Sequence, residues 1–282
     1  MSGGVFAIVI LAAVLHAVWN ALVKSGTDKT AAMTAIVLGQ GVAGAIALPF
    51  AQVPDPKCWP WFVASLGLHF GYQMFLIAAY RIGDLTQVYP IARGVSPLLV
   101  AGASILFLGE TLSVQQGLGV ILIAFGIASI SLVRRGDGLF QAKAAGLAVI
   151  TGGFIAAYSL VDGVGARIAG TALGFYAWLA VAGAFWFLGV SPMIRRGVVR
   201  DALTLRTAMI VGGGASFVAY ALVVYAFTLA PIALVTALRE TSIIFALLIG
   251  IVVLKERISL AKVVATLMTL IGAALLRMAR GG

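Results

Sequence analysis

Residues 93–126 read RGVSPLLVAGASILFLGETLSVQQGLGVILIAFG, and this segment decides the fold because its pattern recurs 146 positions later. Residues 239–272 read RETSIIFALLIGIVVLKERISLAKVVATLMTLIG. The identical positions include Arg93, Ser96, Leu108, Glu110, Ser113 and Gly126, which recur as Arg239, Ser242, Leu254, Glu256, Ser259 and Gly272. A duplicated membrane bundle with charge at matching places in its halves is one architecture of secondary transporters.

Composition indicates a membrane protein. Of the 282 residues, 62% are hydrophobic and 10% are charged, and the mean hydropathy is +1.12, whereas soluble proteins use roughly 45–50% apolar residues. A spanning helix needs about 20 mainly apolar residues, and such runs follow one another along the chain. We predict an all-α membrane protein with ten transmembrane helices, at residues 4–23, 31–51, 60–80, 86–107, 113–133, 140–163, 171–190, 207–229, 232–253 and 259–278.

The duplication divides the ten predicted spans into two units of five. We predict a first five-helix repeat over residues 1–133, a polar linker over 134–138 and a second repeat over 139–282. Because five is odd, the second repeat enters the membrane from the opposite side, and the repeats are inverted. The start of the chain lacks the basic segment of a cleavable signal peptide, so we expect the first span to persist as a helix.

The basic residues are distributed unevenly. The net charge is +10, and thirteen of the 19 lysines and arginines fall on one side of the predicted spans, whereas four fall on the side of the termini. Cytoplasmic loops carry such an excess. This bias predicts a multi-pass protein of the bacterial inner membrane with both termini outside the cytoplasm. We expect the lipid bilayer, and no nucleic acid, as its large-scale partner.

Residues 79–94, AYRIGDLTQVYPIARG, together with Pro97 and residues 108–113, LGETLS, resemble the EamA family of the drug/metabolite transporter superfamily. The second half is similar in residues 230–235, 238–240 and 254–259. The resemblance implies ten helices in two inverted five-helix repeats around a central cavity, working by alternating access. It also implies that spans one, three, four, six, eight and nine surround the cavity, and it extends to the YddG-type amino-acid exporters.

Polar residues inside the spans are the candidate ligands. His16, Trp19 and Asn20 share one face of the first span, and Tyr158 and Asp162 have the same spacing on the sixth. A charged side chain such as Asp costs about 2.5–3.5 kcal/mol at the centre of a spanning helix, so these faces should point inward. Alternatively, Asn20 and Asp162 only hold helices together, at about 0.6 kcal/mol each, and His16 is structural.

The third predicted span adds a stripe of polar and aromatic residues. His69, Tyr72, Gln73 and Tyr80 follow one another at helical steps. Hydrogen-bonding groups beside flat rings suit a small organic solute with a polar and an apolar end. The alternative is that the tyrosines pack or lie at the membrane interface.

Arg93 and Arg239 lie well inside predicted spans, near prolines that interrupt helical hydrogen bonding. Their candidate partners in the membrane are Glu240 and Asp162. In one hypothesis an arginine binds a substrate carboxylate, and an acid binds the substrate ammonium or carries a proton. In the other, a fixed ion pair locks two helices together.

Two further patterns predict structure rather than chemistry. Glu110 and Glu256 each precede a predicted helix, where an acid is stabilised by unpaired amides and the helix dipole, so we expect them to cap those helices. Small residues recur every fourth position on the second span, which predicts close helix packing. They are Ala35, Gly39, Ala43 and Ala47.

The sequence lacks a phosphate-binding loop, a cluster with metal-ligand spacing, and a nucleophile with a neighbouring base. We therefore expect no enzyme activity, no cofactor and no metal. The favoured interpretation is a monomeric secondary transporter that exports aromatic or other apolar amino acids; the alternatives are a passive channel or facilitator and, less favoured, a membrane-embedded enzyme. The predicted substrate-binding residues are His16, Trp19, Asn20, His69, Tyr72, Gln73, Tyr80, Arg93, Tyr158, Asp162, Tyr220, Arg239 and Glu240.

Overall fold

The computed structural model describes residues 1–25, 28–82, 85–129, 142–252 and 260–279, and the regular elements in these ranges are all helices. The helices are α1 (Gly3–Ser25), α2 (Lys29–Ala47), α3 (Trp59–Ile82), α4 (Leu85–Leu108), α5 (Val114–Ser129), α6 (Ala142–Ala169), α7 (Ala172–Ile194), α8 (Val198–Thr204), α9 (Gly213–Leu229), α10 (Ile232–Arg239), α11 (Ser242–Val252) and α12 (Leu260–Met278). Single turns of 3-10 helix at Leu48–Phe50 and Pro56–Cys58 connect α2 to α3, and a π-helical segment, Ala208–Gly212, leads into α9.

Within the described ranges, seven helical segments are long and apolar enough to cross a membrane, which makes the chain a multi-pass membrane protein. They match the first, second, fourth, sixth, seventh, eighth and ninth predicted spans. Helix α3 occupies the position of the third span, and α5 and α12 contain shorter apolar helices at the fifth and tenth. The ten-span arrangement stays a prediction, and the predicted linker at 134–138 lies outside the described residues.

The ninth predicted span is broken in the middle. Helix α10 ends at Arg239 and α11 begins at Ser242, and the segment Ile232–Ile249 that contains this break is still long and apolar enough for the predicted span. The turn between them is held by the Thr241 hydroxyl, which donates to the Leu238 carbonyl oxygen at 2.7 Å. Membrane helices tolerate such a break where side chains satisfy the freed backbone groups. The break places Glu240 at the junction.

Glu110 caps a helix, but a different one from the helix that the sequence predicts. Its Oε1 accepts from the backbone N–H of Ile232 at 2.9 Å, at the start of α10, and lies 3.3 Å from the guanidinium of Arg167. The start of α5 is capped instead by Ser113 and Gln116, which bond to each other's backbone amides. The carboxylate thus ties the ends of α4, α6 and α10 together. Glu256 lies outside the described residues.

Small residues bring α2 against α7 and α9 at backbone distance. A Cβ added to Gly39 would lie 1.8 Å from the Met209 carbonyl oxygen, and one added to Gly213 would lie 2.6 Å from the backbone of Gly39. Similarly, a Cβ on Gly44 would lie 2.9 Å from the Ala177 carbonyl oxygen. Close packing predicted from the small-residue stripe is therefore confirmed at Gly39, and it leaves a space bounded by α1, α2, α3, α7 and α9.

A substitution of Gly213 by Ala should destabilise the protein by about 1–3 kcal/mol, because the new methyl overlaps the α2 backbone. The neighbouring Gly214 has open space where a Cβ would be placed. Gly214→Ala should therefore be neutral or slightly stabilising, since alanine favours a helix. Thermal unfolding of the two purified variants in detergent provides the comparison. Equal melting temperatures would contradict the close α2–α9 contact.

Candidate functional site: a cavity between two buried charge clusters

The helices surround a cavity of about 160 Å³. Eight of the predicted site residues line it, and the sequence therefore located most of its polar wall. They are His16, Trp19, His69, Tyr72, Gln73, Arg93, Tyr158 and Tyr220. The side chain of Tyr80 lies outside the part of the chain that the structure describes.

The cavity wall differs from the one that the family resemblance implies. Side chains of α2 and α7 contribute to it, including Gln40 and Tyr176, while Arg239 and Glu240 of the ninth predicted span lie behind it. Glycines at the α2–α7 contact let these two helices approach each other closely. No residue of α5 or α12 is among the described lining residues.

A cluster of two arginines and one carboxylate is buried on one side of the cavity, and we call it the arginine cluster. The Nε of Arg93 lies 2.7 Å from Oε2 of Glu240, and the guanidinium of Arg239 lies 3.4 Å from Oε1 of the same carboxylate. Arg93 also donates to the Ser242 hydroxyl at 3.2 Å. Two guanidinium groups therefore share the carboxylate of Glu240. Only Arg93 of the three lines the cavity.

The three charged groups of the arginine cluster are almost completely buried. Arg93 is 5% exposed, and Arg239 and Glu240 are each 1% exposed. Charges removed from water to this extent need close partners, and removing one partner leaves an uncompensated buried charge. The arrangement contains features of both sequence-based hypotheses: Arg93 contacts the cavity, and its ion pair joins α4 to the α10–α11 junction.

Asp162 forms a second buried cluster, of opposite charge. Its carboxylate accepts from the hydroxyl of Ser65, and from the hydroxyl of Tyr220 at 2.6 Å, and lies 3.0 Å from Nε2 of His69. Asp162 is fully buried and does not line the cavity. We expected Asp162 to contact a ligand directly, but in this structure the rings of His69 and Tyr220 lie between its carboxylate and the cavity. The carboxylate instead holds α6 against α3 and α9.

Aromatic rings form the wall in front of Asp162. The His69 ring stacks on Tyr158 with a centroid separation of 4.1 Å, and Tyr220 meets His69 edge-on at 5.7 Å. Tyr72 contacts Tyr158 at 5.7 Å, and Tyr176 contacts Tyr220 at 5.0 Å. These rings pack on one another, and they also present flat faces and polar edges to the cavity.

The polar face predicted on α1 is only partly directed at the cavity. Trp19 donates its indole N–H to Nδ1 of His16 at 3.2 Å, and both residues line the cavity. Asn20 does not, because its amide donates to the His16 carbonyl oxygen one turn earlier, at 2.7 Å. Its role as a ligand was predicted from spacing, but a local bond of the side chain to its own helix competes for the same group.

Sequence reasoning missed Gln40, Tyr176 and Ser216, which also line the cavity. The Gln40 amide donates to the Tyr176 hydroxyl and joins α2 to α7. A signal was present, because Gln40 is an amide inside an otherwise apolar run. The small residues around it drew the interpretation towards packing alone.

Glu240→Gln should destabilise the protein strongly, by about 3–5 kcal/mol, because it removes the carboxylate that two buried guanidinium groups share. Arg239→Gln at the adjacent position should cost less, since the Arg93–Glu240 pair then remains neutral. Thermal unfolding in detergent measures both variants. A Glu240→Gln protein as stable as Arg239→Gln would show that the carboxylate does not hold the cluster together.

Comparison with known proteins is consistent with this architecture. Residues 3–132 match the EamA-like transporter family, and no curated protein matches the chain. A solved crystal structure of a protein shares the fold with a TM-score of 0.74 at 20% sequence identity, over 98% of this chain and 96% of that chain. Residues 3–132 are thus similar to a family of small-solute transporters, the EamA-like transporter family, and the apolar helices make the chain a multi-pass membrane protein.

Proposed function

We propose that this protein is a secondary transporter that exports aromatic or other apolar amino acids across the bacterial inner membrane by alternating access. The observation that supports this proposal is that buried groups of opposite charge lie on different sides of one cavity. The arginine cluster, in which Arg93 reaches the cavity wall, lies on one side, and Asp162 lies behind the aromatic wall on another. A zwitterion is the small solute whose charges complement both sides.

The lining residues suggest how an amino acid is held. The carboxylate of the substrate binds Arg93, since a guanidinium pairs well with a carboxylate. Its ammonium faces His69 and the tyrosine edges, and its apolar side chain packs against residues such as Leu179 and Phe187. The cavity is smaller than the roughly 300 Å³ at which drug-sized pockets begin, which favours a single small metabolite.

Helix contacts support the inverted repeat. The offset of 146 relates Gly119 to Ala265 and Gly126 to Gly272. A Cβ on Gly126 would lie 3.1 Å from the Ala265 carbonyl oxygen, and one on Gly272 would lie 2.7 Å from that of Gly119. Exchanging the two halves converts each contact into the other, which is what a two-fold axis between α5 and α12 requires.

The arginine cluster departs from this symmetry in a way that supports alternating access. Arg93 bonds to Ser242, and the same offset converts this pair into Arg239 and Ser96. Yet Nε of Arg239 and the hydroxyl of Ser96 are buried without a hydrogen-bond partner among the described residues. The Arg93–Ser242 hydrogen bond is thus formed, whereas the equivalent bond between Arg239 and Ser96 is not. In a repeat protein with two related states, the opposite-facing state would exchange them.

A passive channel is the alternative, and counterflow in proteoliposomes separates a carrier from a channel. We expect labelled phenylalanine to accumulate transiently in vesicles preloaded with unlabelled phenylalanine, because a carrier exchanges solute one for one. No accumulation with any amino acid would reject the carrier. We take a monomer as the functional unit, since one chain lines the whole cavity described.

Arg93→Gln should lower the counterflow rate at least about tenfold, because a lost charge-assisted hydrogen bond is worth roughly 1.5–3 kcal/mol. Glu240 keeps Arg239 as a partner, so the variant should remain folded. The exposed Arg196, changed to Gln, is the matched control and should transport like the parent protein. Unchanged counterflow in Arg93→Gln would remove Arg93 from the binding site.

A further inference from the structure

His69 connects the cavity with the buried carboxylate behind it. Its Nε2 lies 3.0 Å from Oδ2 of Asp162, and its side chain is 27% exposed whereas that of Asp162 is not exposed at all. Its ring also lines the cavity. Any proton or charge that passes between the cavity and Asp162 therefore meets His69 or the neighbouring Tyr220.

The hydrogen bonds around Asp162 determine which nitrogen of His69 faces the cavity. The hydroxyls of Ser65 and Tyr220 donate to the carboxylate, and an ionised carboxylate accepts only, so Nε2 of His69 carries a proton towards it. In the neutral imidazole, the other nitrogen is then an acceptor. Nδ1 of His69 has no hydrogen-bond partner among the described residues, and it is not one of the fully buried polar atoms. A lone pair is thus presented to the cavity.

The titratable and charged groups that face His69 from the other helices have other partners or carry no free acceptor nitrogen. Helix α6 contributes Tyr158 and Asp162, and α9 contributes Tyr220. Across the cavity, α7 contributes Tyr176, α1 contributes His16 and α4 contributes Arg93. Nδ1 of His16 already accepts from Trp19, whereas Arg93 is the partner for a carboxylate. Nδ1 of His69 is therefore an uncommitted acceptor at the cavity wall, suited to an ammonium group.

We propose that a substrate ammonium and a proton compete for Nδ1 of His69, so that the protein exchanges one proton for one amino acid. This inference rests on the proposed amino-acid transport. When His69 is neutral, Nδ1 accepts a hydrogen bond from the substrate ammonium. When a proton binds Nδ1, the ring becomes an imidazolium with two donors, which cannot accept from the ammonium and repels it.

The exchange balances in atoms and charge. Substrate binding displaces the proton from Nδ1, and after the zwitterion leaves on one side a proton binds there and is carried back. No bond other than the N–H is formed or broken. The carboxylate of Asp162 accepts the Nε2–H of the ring in both states, so the exchange takes place at Nδ1 alone. Each cycle moves one positive charge against one net-neutral substrate.

Proteoliposomes separate exchange from coupling. With interior pH lower than exterior pH and the membrane potential clamped at zero, the parent protein should accumulate labelled phenylalanine, with a limit of about tenfold per pH unit at one proton per substrate. His69→Gln changes a residue of the proposed binding site, so its gradient-driven accumulation is compared with its own counterflow rate. It should lose accumulation driven by the pH gradient. Gradient-driven accumulation in His69→Gln equal to that of the parent would overturn the proposal.

His16→Gln is the matched control, since it changes the other cavity histidine. We expect it to keep the ratio of gradient-driven uptake to counterflow, whatever its absolute rate. A parent protein that shows counterflow but no response to the gradient would overturn the coupling and leave the proposed function intact. Absence of counterflow for every amino acid would reject the proposed function itself, together with the coupling.

A binding measurement on the parent protein does not depend on any variant. Phenylalanine added to the purified transporter in weakly buffered detergent at about pH 6, within the range in which histidine titrates, should release up to one proton per bound molecule. A pH-sensitive dye records the release. Saturating binding without proton release would contradict competition at His69.

Discussion

The pairing of Arg93 and Arg239 with the single carboxylate of Glu240 is the constraint on which the rest of the structure depends. Three charged groups in an apolar bundle need one another, and they can meet only where α4 passes the break between α10 and α11. The break frees backbone groups that Thr241 satisfies locally. The guanidinium of Arg93 carries this cluster to the wall of the cavity.

Other contacts in the bundle position the helices around the arginine cluster. Glycine contacts draw α2 towards α7 and α9 and narrow the cavity. The carboxylate of Glu110 fixes the start of α10, and with it the position of the break. Asp162 uses the same principle on the other side, because three donors hold a buried carboxylate just behind the rings that contact the cavity. The cavity therefore lies between a cluster that contains two guanidinium groups and a cluster that contains a carboxylate.

Periodicity and polarity were sufficient to predict the all-helical membrane fold and most of the polar cavity wall, because a polar side chain in a membrane helix has to face inward. They were insufficient where a side chain had more than one inward partner. Asn20 bonds to its own helix, Asp162 lies behind His69, and Glu110 caps α10 rather than α5. The contacts of Asp162 and Glu110 join distant segments, which a pattern along one helix does not contain, whereas Asn20 has a local acceptor that spacing alone does not rank against a ligand.

The central claim is that the cavity selects a zwitterion, and competition by analogues of phenylalanine tests it most directly. Inhibition of phenylalanine counterflow is measured with phenethylamine, which lacks the carboxylate, and with 3-phenylpropionate, which lacks the ammonium. We predict that unlabelled phenylalanine inhibits strongly and that each analogue inhibits at least about tenfold more weakly, because each leaves one charged pole without a partner. Inhibition by either analogue as strong as that by phenylalanine would contradict recognition of both charges.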